Sequence, residues 1–240
     1  MQGIKERILE AQRAGNRKQV DFVFCLPGYA PSSYVQSMNV NLAMMNMISA
    51  GYTVAMRMSA GSVINAVRNG CLSDKGKKAS QKPFAAMNMD YKFMIWIDSD
   101  NIVTHDQIMR LIELDTDIVA GWCKQSPKSE KINCGAIRHT ESEFKTISMT
   151  LDEMEGVEAG RVIEVDYAGF GLMVIKKGVF ESLKYPWFKS WEVQWADEDG
   201  DVCSDTITDD LGFCMRAREA GYKIHVAKDI RILHQKVDDI

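Results

Sequence analysis

The sequence predicts an α/β protein built on a mostly parallel sheet, and three observations predict it. Between residues 20 and 122, short apolar runs with no helical face alternate with runs of helical length. Gly and Pro punctuate the joins, as at Pro27-Gly28 and Gly51. One apolar run, Tyr91 to Ile97, stops abruptly at Asp98-Ser99-Asp100, which reads as a buried strand whose carboxyl end emerges at a site.

The elements follow in order. Residues 1–19 carry Ile4, Ile8 and Leu9 among many charges, the pattern of a short amphipathic helix. Val20 to Gly28 is a buried strand stopped by Pro27-Gly28, with a loop over 29–33. Residues 37–50 (SMNVNLAMMNMISA) are apolar nearly all round and end at Gly51, as a packed helix does. A second strand covers 52–58, and a helix over 62–71 is capped by Ser62 or by Gly61 and Ser62 together. Segment 72–89 reads as a basic surface loop. After the Asp-Ser-Asp strand, Thr104-His105-Asp106-Gln107 opens a helix over 105–114, and 117–122 is a fourth strand. Such an alternation implies right-handed crossovers that leave the strands' carboxyl ends along one edge.

From Cys123 to Arg161 the periodicity weakens, which suggests an inserted loop or a small antiparallel excursion. Residues 162–171 and 172–175 are strand-like and 177–183 make a short helix; a polar loop follows, with Trp191, Trp195 and many acids. Thr208-Asp209-Asp210 opens a helix over 211–220 that ends at Gly221. Strand-like stretches at 223–227 and 230–233 then lead to His234. No repeat or linker divides the chain, so a single domain is expected over 1–240, with halves at 20–122 and 123–240.

Composition narrows the function classes. The 240 residues are 46% apolar and 26% charged, ordinary for a globular protein, and the net charge of −4 leaves no electrostatic footprint for tight nucleic-acid binding. A DNA-base acceptor would require a basic groove, and the clustered cations Lys75, Lys77, Lys78 and Lys82 are too small a group to argue for one. Six cysteines lack C-x-x-C spacing and sit partly in apolar runs, the pattern of buried free thiols in a reducing compartment and not of a zinc site. No apolar run has the length of a membrane span and no signal peptide is visible, so a cytoplasmic location is expected. Fifteen methionines read as adaptable core filling.

Three stretches carry candidate chemistry. At a strand end, Asp98 and Asp100 share a face and can converge on one hard cation, or on a cation and a ribose. Two anions that close repel each other, which favours a divalent metal; a solvated turn before a capped helix is the plainer alternative. Asp209 and Asp210 at a helix mouth are either a capping pair or a carboxylate base for an acceptor hydroxyl with a supporting neighbour. Trp187, Trp191 and Trp195 are candidate platforms for an acceptor sugar or base, with core packing the alternative for Trp187.

In order, Asp98-Ser99-Asp100, Asp209-Asp210 and His234 resemble the nucleotide-sugar glycosyltransferases of the GT-A fold, bacterial or phage type, over roughly residues 20–235. The run T-D-D-L-G-F-C-M-R-A-R-E-A-G-Y-K-I-H-V looks like the family's acidic pair, helix and turn, although many relatives have Glu-Asp at the position of Asp209-Asp210. The run V-D-Y-A-G-F-G-L-M-V-I-K-K-G-V-F, which contains Gly169, is similar to the family's acceptor-side strand and helix. The resemblance implies a Rossmann-like, mostly parallel sheet flanked by helices, with a small antiparallel excursion on the acceptor side. It implies a nucleotide-sugar-binding half over 20–122 and an acceptor-binding half over 123–240. It also implies Mn²⁺ or Mg²⁺ bound by Asp100 and His234, with Asp98 on the metal or the ribose. Donor binding then falls to the first strand ends: Pro27 and Gly28 let the backbone approach the nucleotide, and Arg57, Ser59, Arg68 and Asn69 lie within reach of a uracil-like base or the diphosphate.

The expected activity is a metal-dependent, hexosyltransferase-type transfer from a nucleotide sugar, UDP-linked, to a hydroxyl acceptor, with inverting and retaining routes both open. Acceptors of this class range over glycans, small molecules, proteins and modified DNA bases, and no membrane partner is expected. The first alternative is a sugar nucleotidyltransferase, against which the loop Pro27 to Ser33 counts because it has no Lys or Arg. The second is a non-catalytic nucleotide-sugar-binding module, which has no need of Asp210.

Overall fold

A computed structural model describes residues 17–28, 33–73, 81–140, 142–197 and 199–235. The expected leading helix therefore lies outside the described residues, except that Lys18 and Gln19 open the first strand; the loop 29–32 and Lys75, Lys77 and Lys78 lie outside as well.

The chain is α/β. It begins β1 (Lys18–Gly28), α1 (Tyr34–Ser49), β2 (Val54–Ala60), α2 (Ile64–Leu72) and, after a 3₁₀ turn at Ala85–Met87, β3 (Met89–Trp96). It continues with β4 (Asn101–Ile102), α3 (His105–Glu113), β5 (Ile118–Trp122), β6 (Lys131–His139), β7 (Phe144–Thr150), α4 (Leu151–Glu155), β8 (Val162–Val165) and β9 (Tyr167–Ala168). Last come β10 (Met173–Lys176), α5 (Val179–Ser182), β11 (Trp191–Ala196), β12 (Val202–Ile207), α6 (Asp209–Glu219), β13 (Ile224–Arg231) and β14 (Leu233–His234).

Local chemistry explains several boundaries. Ser33 caps α1 by accepting from Gln36 N at 3.1 Å. Thr104 and Gln107 form the expected reciprocal capping box on α3. The expected Ser62 cap on α2 is corrected: the helix starts two residues later, behind Val63, with no side-chain cap. The expected polar loop around Trp191 and Trp195 is also corrected, because β11 and β12 pair there as an antiparallel hairpin.

Seven strands form the main sheet in the order β2-β1-β3-β10-β5-β13-β8. β1 is parallel to β2 and β3, and β5 is parallel to β13. β10 runs antiparallel between β3 and β5, and β8 antiparallel to β13. The reversal at β10 follows from chain path. β5 ends at the carboxyl edge, and no helical crossover carries the chain back to the amino edge before β10. Met173, at the start of β10, pairs with Trp96 and Ala120 near the ends of β3 and β5, so this strand can only run backwards. The excursion between β5 and β10 contains the three-stranded sheet β7-β6-β9.

Side chains alternate between two cores. Val23, Cys25, Met94, Trp96 and Met173 face α2 and α6, against Leu72, Phe213 and Cys214. Phe22, Phe24, Ile95, Ile97 and Val174 face α1 and α3, against Ala43, Met47 and Ile108. Helices thus cover both faces. Since β2 and β3 flank β1 on opposite sides, and the helices leading to them lie on opposite faces, the chain's direction of winding reverses at β1 and β3. The crevice outside the carboxyl ends of those two strands is where an open α/β sheet accommodates a ligand.

Candidate active site at the carboxyl edge of the sheet

Asp98, Ser99 and Asp100 emerge directly from β3 into this crevice, held against β1 by Ile97 N donating to Cys25 O at 3.2 Å. The two carboxylates then diverge. Asp98 receives Arg68 Nη2 on both oxygens, at 3.0 and 2.9 Å, while Arg68 Nη1 donates to Asp209 Oδ2 at 2.7 Å. One guanidinium on α2 therefore ties the end of β3 to the start of α6, across sequence separations of 30 and 141 residues. Arg68 is 5% exposed, and its guanidinium lies 4.8 Å from the Phe170 ring centroid. It is not the surface cation its local sequence suggests.

Asp100 turns the other way. Its Oδ2 lies 3.2 Å from His234 Nε2 and its Oδ1 accepts from Asn101 Nδ2 at 3.0 Å. β4 and β14 set this up, pairing antiparallel with Asn101 opposite His234, and Gln235 N donates to Asp100 O at 2.8 Å. Gln235 also bonds to Ser33 at the start of α1.

Asp210 sits half-buried in the first turn of α6, where its Oδ1 accepts from Leu211 N at 2.8 Å and from the Thr208 hydroxyl. Asp209 is buried and committed to Arg68, so of the two acids Asp210 is the one placed at the surface of the crevice. The hairpin β11–β12 closes over α6: a Cβ on Gly212 would stand 2.5 Å from Trp191 Cζ3, so only glycine admits that indole. Trp191 and Trp195 are half-buried on this hairpin.

The electrostatics are unbalanced. Burial raises the Asp98 carboxyl above its ordinary range; Arg68 pulls it down, and Asp100 and Asp210 push it up again. Burial also opposes charge on Arg68, but Asp98, Asp209 and Asp210 outweigh it and hold the guanidinium more firmly protonated than usual. Three carboxylates, Asp98, Asp209 and Asp210, act on one buried guanidinium, while Asp100 pairs with His234. By contrast, burial pushes the Cys71, Cys134 and Cys214 thiols up to about 12, so they remain neutral packing groups. All six cysteines are free.

Among the described residues no group of three or more His, Cys, Asp and Glu is arranged to hold a metal ion. Asp100 and His234 bring one carboxylate and one imidazole together at this edge.

The other expected site residues separate clearly. Pro27 and Gly28 end β1 beside Ser59 and Ala60 of β2, in the crevice region. Arg57 and Ser59 lie on the α2 side of β2; Arg57 Nε donates to Cys71 O at 3.2 Å, and Ser59 Oγ packs against Gly70. Asn69 is corrected as a nucleotide ligand. Its amide donates to Asn65 O and Phe188 O, both at 2.7 Å, and accepts from Trp187 N and Phe188 N, which fills its capacity with protein partners. Trp187 is corrected as an acceptor platform, since it is fully buried with Nε1 donating to Phe180 O at 3.1 Å. Gly169 N donates to Asn133 O at 2.9 Å beside β6, one residue before Phe170, whose ring packs against Arg68.

Sequence reasoning missed Gln36, which is 3% exposed and donates from Nε2 to Asp98 O at 2.7 Å. Gln36 Oε1, Arg68 Nε and Asn101 Oδ1 are buried without a hydrogen-bond partner. All three residues lie near the end of β3. No local pattern in α1 distinguishes Gln36 from a surface glutamine.

No family model and no curated protein matches the chain. Among solved structures, one described as "Crystal Structure of A197 from STIV" is similar with a TM-score of 0.47 and 13% identity, over 92% of this chain and 97% of that chain. Among the described residues no helix is long and apolar enough to cross a membrane.

Proposed function

We propose that the protein is a metal-dependent glycosyltransferase of the GT-A type, moving a sugar from a nucleotide sugar, UDP-linked, to a hydroxyl acceptor. The observation that carries the reading is convergence. Asp98, Asp100, Asp209, Asp210 and His234 come from three distant parts of the chain and meet, through Arg68 and the β4–β14 pair, at the crevice where the sheet reverses its winding. A capped turn or a structural ion pair requires no such gathering.

In this reading Asp100 and His234 hold Mn²⁺ or Mg²⁺, which supplies positive charge to the leaving diphosphate. The carboxyl ends of β1 and β2, with Pro27, Gly28 and Ser59, lie against the nucleotide. Asp98, fixed by Arg68 and by Gln36 at its carbonyl, keeps lone pairs for a ribose hydroxyl. Asp210 accepts the proton of the acceptor hydroxyl, and Asp209 anchors the helix that presents it. Trp191 and Trp195 on the hairpin offer aromatic faces to the acceptor.

The test is incubation with a panel of nucleotide sugars and Mn²⁺, reading slow hydrolysis to free nucleotide, with Asp210→Asn in parallel. Asparagine retains the side-chain oxygen that bonds Leu211 N but has no basicity, so transfer should fall at least about a hundredfold while nucleotide binding persists. Absence of metal-dependent nucleotide release from every donor would contradict the reading, and consumption of nucleoside triphosphate instead would favour a nucleotidyltransferase.

A further inference from the structure

Helix α1 does not behave as its sequence demands. It is apolar nearly all round, a pattern that calls for burial on several sides. Among the described residues one side is buried, through Val40, Ala43 and Met47, with α3 along one flank. Met38, Leu42, Met45 and Ile48 stand on the opposite side, each about half exposed or more, and Met45 is 64% exposed. Strand β2 continues the surface. It is the terminal strand of the main sheet, and its register with β1 puts Met56 and Met58 on the same sheet face as α1. Met58 is 63% exposed.

Charge is missing from this surface. Between Asp21 and Arg68 the sequence contains one charged residue, Arg57, in a chain that is 26% charged. Arg57 lies on the opposite face of the sheet, where it donates to Cys71 O. Depletion of charge with enrichment of methionine and aliphatic side chains is the composition of an interface core. With Val35 and Tyr52 included, the patch offers on the order of 700 Å² of apolar surface if each large side chain exposes roughly 100 Å². That is more than the largest patch of most monomers and about what one partner contributes to a stable interface.

We infer that this face pairs two copies of the chain about a two-fold axis. In an isologous contact every residue meets its own patch, so any charge would confront its like; a face with none satisfies that demand without requiring a complementary partner. The uncapped edge of β2 supplies backbone groups that a second β2 can pair antiparallel, which also removes the exposed edge. A membrane surface is the wrong occupant: helices that lie on lipid carry Lys and Arg on their polar face, and α1 carries neither.

Sedimentation equilibrium of the full chain and of Leu42→Glu and Met58→Lys tests this, with circular dichroism to confirm that each variant is folded. The expected result is a wild-type mass of two 27.1 kDa chains at tens of micromolar, and at least a tenfold weaker dimer in both variants. Because both side chains are exposed, the variants should fold normally. A monomeric wild type, indefinite aggregates in place of a dimer, or a dimer unaffected by both substitutions would overturn the inference.

Discussion

Asp98 and Asp100 leave the same strand two residues apart, yet the fold gives them different work. Asp98 faces Arg68, which binds it and Asp209 together and packs against Phe170. Asp100 faces His234, which lies on a two-residue strand near the end of the described residues. The first region is an anchor, joining three elements through one guanidinium. The second pairs an imidazole with a carboxylate, the two groups that the proposed function makes metal ligands. On the proposed function, one carboxylate of the motif is held by the buried arginine and the other serves the metal.

Removing Arg68 would break the anchor with the largest effect. Arg68→Met leaves Asp98 and the buried Asp209 without their shared cation, and stripping one partner from a buried ion pair costs on the order of 3 kcal/mol or more. Urea denaturation should show that loss. A variant of wild-type stability would mean that the three groups do not form a buried pair.

His234→Ala should do the opposite. A partly exposed histidine–carboxylate pair contributes on the order of 1 kcal/mol to folding, so stability should change far less than in Arg68→Met while the Mn²⁺ concentration for half-maximal activity rises several-fold. Unchanged metal dependence would remove His234 from the site.

A smaller, pH-dependent effect sharpens the comparison further. Because the folded protein raises the Asp98 carboxyl above its ordinary value of 3.8, the native state binds this proton more tightly than the unfolded chain does. Asp98's contribution is therefore fully present below about pH 4 and is lost as pH rises through the higher folded value. The stability difference between wild type and Asp98→Asn should shift against wild type as pH increases from 4 to 7. A shift in the reverse direction would mean that Arg68 dominates over burial.

These two regions were unequally legible in sequence. The strand before Asp98, the capping box at Thr104 and the helix after Asp209 are local patterns, and each forms close to its expected place. The antiparallel course of β10 depends on where a 50-residue excursion delivers the chain, which no local run encodes. The β11–β12 hairpin did leave a signal in the alternation of Trp191, Val193 and Trp195, obscured by the surrounding acids. Arg68 and Gln36 left none. Their partners lie in other elements, and a buried arginine on a short helix reads the same as an exposed one. The exposed apolar face of α1 is the reverse case: the sequence calls for packing that the described residues do not provide.

Calorimetric titration of UDP into wild type and Asp100→Ala, each with and without Mn²⁺, tests the central claim most directly. The account predicts that Mn²⁺ strengthens UDP binding to wild type at least about tenfold, and that Asp100→Ala, still folded because Arg68 and Asp98 are untouched, loses most of that gain. Equal metal-dependent gains in both proteins, or none in wild type, would contradict it.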